Sequence, residues 1–247
     1  MADLARTGET LAGLASARPL WTALIVTLPF SALARWVRGV SFSGAIAGAG
    51  VCFLLYLGGG PGAFAALVSV FALTWVSTRL GYQRKKKLGT AEKLDGRTAL
   101  QVLANLAVAA ICAGLCAVTR NTVLLLAASA ALSEAAADTV SSEVGQARSE
   151  KARLITTWKE VSAGTNGAVS WPGTLAGLAA ATVVSLVCVS TGLVPLKWVG
   201  ISIATAVAGM IADSFLGALL ERPNLLNNNA VNFLGTLVAA GTAFLLV

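Results

Sequence analysis

From residue 20 to its end this chain is a succession of apolar runs, most of them close to twenty residues long and each closed by a polar break. A helix of that length crosses the hydrocarbon of a bilayer, and there every backbone polar group must be satisfied within the helix. The candidate spans are 20–34, 42–58, 62–82, 98–118, 122–140, 172–193, 197–219 and 230–247. Pro29 interrupts the first and Arg35 follows it at once, so eight crossings are expected, or seven if that segment does not pass through. The chain is 56% hydrophobic and 12% charged, half the charge of an ordinary soluble domain. The predicted fold class is all-α, a polytopic transmembrane helix bundle, with 1–247 forming a single integral membrane domain. The first twenty residues hold Asp3, Arg6, Glu9 and Arg18 and lack the apolar centre of a cleaved signal.

Lys and Arg orient the bundle. If the loop 83–97 is cytoplasmic, alternating spans place fourteen of the 18 cations on the same side. Only Arg6, Arg18, Arg120 and Lys197 fall outside, and the C-terminus is extracytoplasmic. The cytoplasmic connections are then 83–97, 141–171 and 220–229. A net charge of +7 fits basic loops held against an anionic leaflet and does not call for nucleic acid. Trp21, Trp36, Trp171 and Trp198 fall at span ends, as an aromatic belt requires.

A phrase recurs along the chain. Ser41 through Gly48 parallels Ser170 through Gly177, and Asn232 through Leu237 is a looser copy. Each is read as opening a span that leaves the cytoplasmic side. Ala137-Asp138-Thr139 and Ala212-Asp213-Ser214 each lie near the cytoplasmic end of an incoming span, so 122–193 and 197–247 read as internal parallel repeats.

With no His, any catalysis must use carboxylates, cations, hydroxyls and a hard metal ion. Cys52, Cys112, Cys116 and Cys188 lie in apolar runs without metal spacing and read as packing residues. The chemistry gathers in the cytoplasmic connections. Glu134, Asp138, Ser141 and Gly145 share one helix face, and Glu143 joins them only if the helix unwinds near Ser141-Ser142. Intramembrane carboxylates are costly and mark function. Two equivalent acids, Asp138 and Asp213, suit a divalent ion such as Mg²⁺. Lys151 and Arg153 supply cations. Gly164-Thr165-Asn166-Gly167 through Ser170 forms a glycine-rich turn running into a helix start, an arrangement that offers backbone N–H groups to phosphate. No Gly-x-x-x-x-Gly-Lys-Ser/Thr loop and no kinase catalytic triplet is present.

At these residues the sequence resembles an integral membrane family that includes transmembrane protein 19 and the plant phytyl-phosphate kinase of tocopherol synthesis. The matching stretches are Lys87 through Glu92 with Asn105, Ala137-Asp138-Thr139 with Ser142 through Gly145, and Arg153 through Thr157. They continue with Gly164 through Gly167, Gly173 through Gly177, Asp213-Ser214, and Asn229 through Asn232. The resemblance covers about residues 40–247 in the family's order. It implies a membrane enzyme that phosphorylates an isoprenoid monophosphate to the diphosphate with a nucleoside triphosphate, CTP being the favoured donor, and Mg²⁺. Asp138, Glu143 and Asp213 would hold the metal and serve as the catalytic acids. Lys87, Glu92, Lys151, Arg153, Gly164, Thr165, Asn166, Gly167, Ser170, Asn229 and Asn232 would bind the phosphate groups and the nucleotide. Asn166, Ala168 and Trp171-Pro172 depart from the residues many relatives carry, and bear on substrate choice. Two other readings use the same surface: a lipid-phosphate transporter or scramblase, and a CTP-dependent cytidylyltransferase. The oligomeric state is open.

Overall fold

The structure, a computed structural model, describes residues 20–149 and 151–247. The reading of residues 1–19 falls outside them. The fold is an all-α membrane bundle with one small sheet. Its helices are α1 (Leu20–Trp36), α2 (Phe42–Arg79), α3 (Tyr82–Leu88), α4 (Ala99–Thr119) and α5 (Val123–Arg148), then α6 (Trp171–Ser190), α7 (Val199–Leu216) and α8 (Asn228–Leu245). Between α5 and α6 lie β1 (Lys151–Leu154), β2 (Glu160–Ser162) and β3 (Ala168–Val169), antiparallel in the order β2-β1-β3. Among the described residues, five elements are long and apolar enough to cross a membrane: α2, α4, α5, α6 and α7 with its flanks (Leu196–Glu221); α1 is a shorter apolar helix.

α2 is a hairpin. Its 38 residues would reach about 57 Å as one straight helix. Instead the indole N–H of Trp75 donates to the carbonyl of Val37 at 3.2 Å, and Arg79 donates to the same carbonyl at 2.8 Å. The chain reverses at Gly60 (φ 58°, ψ −150°), followed by Pro61. That positive φ suits glycine, and proline starts the return arm without needing its N–H. The two arms correspond to the spans expected at 42–58 and 62–82. Apart from the short α3, the helices and the two arms of α2 thus run between one end rich in polar groups and an opposite end holding Gly60, Arg120 and Lys197.

Side chains fix the helix starts at the polar end. Ser41 accepts from the Gly44 amide, Thr98 forms a capping box with Gln101, Ser170 accepts from the Gly173 amide, and Asn227 caps α8. The Ser41 and Ser170 phrases are therefore cap signatures. The looser copy at Asn232 does not open its helix: α8 begins at Asn228, and Asn232 sits one turn inside. Three boundaries also differ from expectation. α5 stays helical through Arg148, so the connection read as 141–171 begins with two helical turns and then folds into the sheet. Residues 83–88 are likewise helical, and the connection after α7 opens with a π-type turn, Gly217–Glu221.

α5 is the centre of the bundle, with 78% of its span buried against 28–44% for the other four long apolar elements. Its small residues let neighbours approach. Four buried hydroxyls tie it to α6 and α7: Ser129 to Ser202 (3.0 Å), Ser202 to Ser185 (2.9 Å) and Ser185 to Ser133 (2.9 Å). The four cysteines are free thiols packed among apolar side chains. Trp21, Trp36 and Trp171 are exposed on the outer surface and Trp198 is half-buried.

Candidate functional site

The polar end opens as a cleft of about 360 Å³ between α4, α5, the sheet connection, the π-type turn and the start of α8. Asp138 on α5 and Asp213 on α7 lie side by side in its lining, with the Arg97 guanidinium close enough to act on Asp138. One turn deeper on α5 lies Glu134, only 1% exposed. Its side chain fits because α7 and α8 both present glycine there. A Cβ on Gly209 would lie 2.7 Å from Glu134 Cγ, and one on Gly235 would lie 2.6 Å from Glu134 Oε1 and 3.4 Å from Asp213 Oδ2. Those two oxygens, Glu134 Oε1 and Asp213 Oδ2, are buried without a hydrogen-bond partner.

Arg97 is held by backbone before its side chain is considered. Its amide donates to the carbonyl of Gly39 at 3.2 Å and its carbonyl accepts from Ser41 at 2.9 Å, a lattice that joins the start of α2 to the start of α4. From there the guanidinium reaches Thr139 on α5 at 3.5 Å. Nearby, Gln101 donates to Glu92 at 3.0 Å, and Asn232 lies 3.5 Å from Asn105.

The glycine-rich turn forms the opposite wall. Gly164 and Gly167 adopt positive φ (90° and 75°). Thr165 Oγ1 donates to the Ser162 carbonyl at 2.8 Å, and Ile155 N–H donates to the Gly167 carbonyl at 3.0 Å. Among the described residues, the backbone N–H groups of Gly164, Asn166 and Gly167 have no partner within this turn. The turn is clamped from both sides, with Gly164 against Thr90 and Gly167 against Ala218 on the π-type turn.

Of the residues singled out from sequence, the cleft gathers Glu92, Asp138, Glu143, Gly164, Thr165, Asn166, Gly167, Ser170, Asp213 and Asn232. It does not gather Lys87, Lys151, Arg153 or Asn229. β1 alternates exposed and buried residues, so Ala152 turns into the cleft while Lys151 and Arg153 turn away. There they pair with Glu160 at 3.0 and 3.8 Å, and the Lys151 ammonium holds the Glu160 carboxyl below the usual carboxylate range. Lys87 is exposed on α3, two residues round the helix from Lys85, which is fully buried. Lys85 donates to the carbonyls of Ser77 (3.2 Å) and Thr78 (2.6 Å) and forms an ion pair with Glu143. Because α5 does not unwind at Ser141-Ser142, Glu143 stays off the Asp138 face and closes this latch between α2, α3 and α5. Sequence reasoning assigned no site role to Arg97, Glu134 or Lys85. Glu134 carried a signal, a carboxylate deep in an apolar run; Arg97 was hidden among the other cations of its loop.

Around one cleft, then, stand Glu92, Asp138, Glu143, Asp213 and Glu221, with Arg97 the single Lys or Arg among the described lining residues. Such a surface repels a bare phosphate and attracts a divalent cation, alone or carrying phosphate. The oxygen donors are hard, and Asp213 Oδ2 is orphaned, with the orphaned Glu134 Oε1 one turn deeper, which fits Mg²⁺. No group of three or more metal-ligating side chains is close enough, among the described residues, to enclose an ion alone.

The profile of the integral membrane protein family DUF92 matches residues 25–240. An uncharacterized membrane protein of Methanocaldococcus jannaschii is 38% identical over 177 residues, covering 70% of this chain and 71% of that one. One from Synechocystis is 33% identical over 190 residues, covering 72% of each. Protein VTE6, chloroplastic, of Arabidopsis thaliana is 29% identical over 216 residues, covering 82% of this chain and 65% of that protein. No solved structure matches the chain significantly.

Proposed function

The chain belongs to the DUF92 family of integral membrane proteins, and on that premise we propose that it is a membrane-embedded phosphotransferase that converts an isoprenoid monophosphate to the diphosphate at the expense of a nucleoside triphosphate. The observation that carries this reading is the junction of two cavities. The polar cleft shares Glu92, Arg97 and Asn105 with an apolar cavity that runs between helices from the same end. One molecule that fills both is amphiphilic, with its charged head beside Asp138 and Asp213.

In this reading Asp138 and Asp213 would hold Mg²⁺, with Glu134 behind them, and the bound ion would supply charge neutralisation on the transferring phosphoryl group. Arg97 and the free N–H groups of the Gly164–Gly167 turn orient phosphate oxygens. An oxygen of the lipid phosphate attacks the terminal phosphorus of the nucleotide, the bond to the bridging oxygen breaks, and the nucleoside diphosphate leaves. Such transfer depends on positioning and charge stabilisation, so the absence of His is no obstacle. CTP is the favoured donor by family resemblance, and the cation-rich end of the bundle is assigned to the cytoplasm by the positive-inside rule.

The test incubates purified protein in detergent with Mg²⁺, CTP or ATP, and phytyl or geranylgeranyl monophosphate, and resolves lipid products by mass. Lipid diphosphate with the matching nucleoside diphosphate is expected. A CDP-lipid with pyrophosphate would replace this reading with a cytidylyltransferase. Asp138→Asn and Asp213→Asn should each lower turnover about a thousandfold, the loss of several kcal/mol of metal-derived stabilisation. Retained turnover in either variant removes that residue from the metal site.

A further inference from the structure

We propose that the apolar cavity bounded by α1, the two arms of α2 and α4 holds the hydrocarbon tail of the lipid phosphate, and that Gly48 sets the length of tail accepted; the assignment rests on the lipid-phosphate reading above. The cavity has a volume of about 260 Å³, and Val40, Ala45, Leu67, Val70 and Leu106 supply much of its wall. Its mouth is the Glu92, Arg97 and Asn105 junction with the cleft, so a head held there directs its tail inward. The inner end carries Phe30, which packs edge-on against Phe64 and Phe71 at centroid distances of 5.4 and 5.6 Å. An apolar pocket that meets a few convergent polar groups at one end is the usual form of a small-molecule site.

The glycines along this wall separate packing from ligand space. A Cβ on Gly44 would lie 2.1 Å from the Arg97 carbonyl oxygen, and one on Gly39 would lie 2.6 Å from the Phe71 ring, so both are glycine because the protein needs the room. Gly48 lines the same cavity one helical turn beyond Gly44, and a Cβ there meets nothing within 4 Å. Protein packing does not require a glycine at that position. The space in front of it belongs to the cavity, and a Cβ there enters that space without meeting a neighbour.

The experiment measures thermal stabilisation of the purified full chain in detergent by geranyl, farnesyl and geranylgeranyl monophosphate, since a ligand of the folded state raises its midpoint. For the native sequence the affinity should rise with tail length. In Gly48→Leu the affinity for geranylgeranyl monophosphate should fall about tenfold or more, as when two or more methylenes lose their burial. The shorter geranyl compound should lose much less. Gly48→Val gives an intermediate step and serves if the leucine variant does not fold. A drop equal for all tails, or an unchanged series, overturns the assignment. So does equal stabilisation by a prenol lacking phosphate, which would mean a bulk membrane chain occupies the cavity. If the native protein makes no lipid diphosphate while the length series and its compression by Gly48→Leu persist, the kinase reading falls and the tail site stands. If diphosphate forms with the same length preference in both proteins, the tail site falls and the kinase reading stands.

Discussion

A carboxyl group in the middle of an apolar bundle needs donors, a proton or a cation, and Glu134 has an oxygen with none of the protein's donors on it. The protein nevertheless makes room for it, taking glycine at both Gly209 and Gly235. Gly235→Ala should therefore destabilise the fold by about 1–3 kcal/mol through overpacking, read as a lowered unfolding midpoint in detergent. Glu134→Ala added to it should recover most of that loss; simple additivity of the two would show that the glycine serves another neighbour. At this scale the sequence was readable where burial itself is the signal. Asp138, Asp213 and Glu134 stand out because each is an acid in an apolar run. Arg97 did not stand out, since loop 83–97 holds six Lys and Arg residues and nothing local says which one the start of α4 will aim at Thr139.

Among the elements, the spans other than the end of α5 were placed to within a few residues because membrane spans advertise themselves by length and apolarity. The connections were harder, since 141–171 hides two turns of α5 and a three-stranded sheet in one polar stretch. Read as a loop, that stretch leaves Lys151 and Arg153 free to face the site. As β1 they obey a two-residue alternation that Ala152 settles, because the small apolar residue turns inward. The glycine-rich turn was legible for a different reason: its composition admits backbone conformations that other residues avoid. Gly167→Ala tests how much depends on this. The position has φ 75°, and its Cβ would lie 2.4 Å from Ala218. The substitution should cost about 1–3 kcal/mol of local strain. It should also push the turn off the π-type turn of α7, raising KM for nucleotide more than it lowers the unfolding midpoint. An unchanged KM would separate the turn from the nucleotide.

At the level of the molecule, all the cations among the described residues except Arg120 and Lys197 lie toward the polar end of the bundle. With the four native cysteines replaced, a single cysteine at Arg120 or Lys197 should react with an impermeant maleimide added to intact cells. One at Lys87 should react only after lysis. The reverse pattern would turn the cleft to the outside.

The hairpin of α2 also bears on how such a protein is made and varied. Its two arms enter and leave the bilayer at the same face, with a turn of one or two residues and no loop between them for a protease or a glycan. Gaining or losing one helix anywhere upstream would invert every later segment and carry the cleft to the opposite side of the membrane. Gaining or losing α2 whole would not. Much of the wall of the apolar cavity is thus supplied by an even-numbered pair of crossings, and the elements downstream keep their sidedness whatever shape that pair gives to the space in front of Gly48.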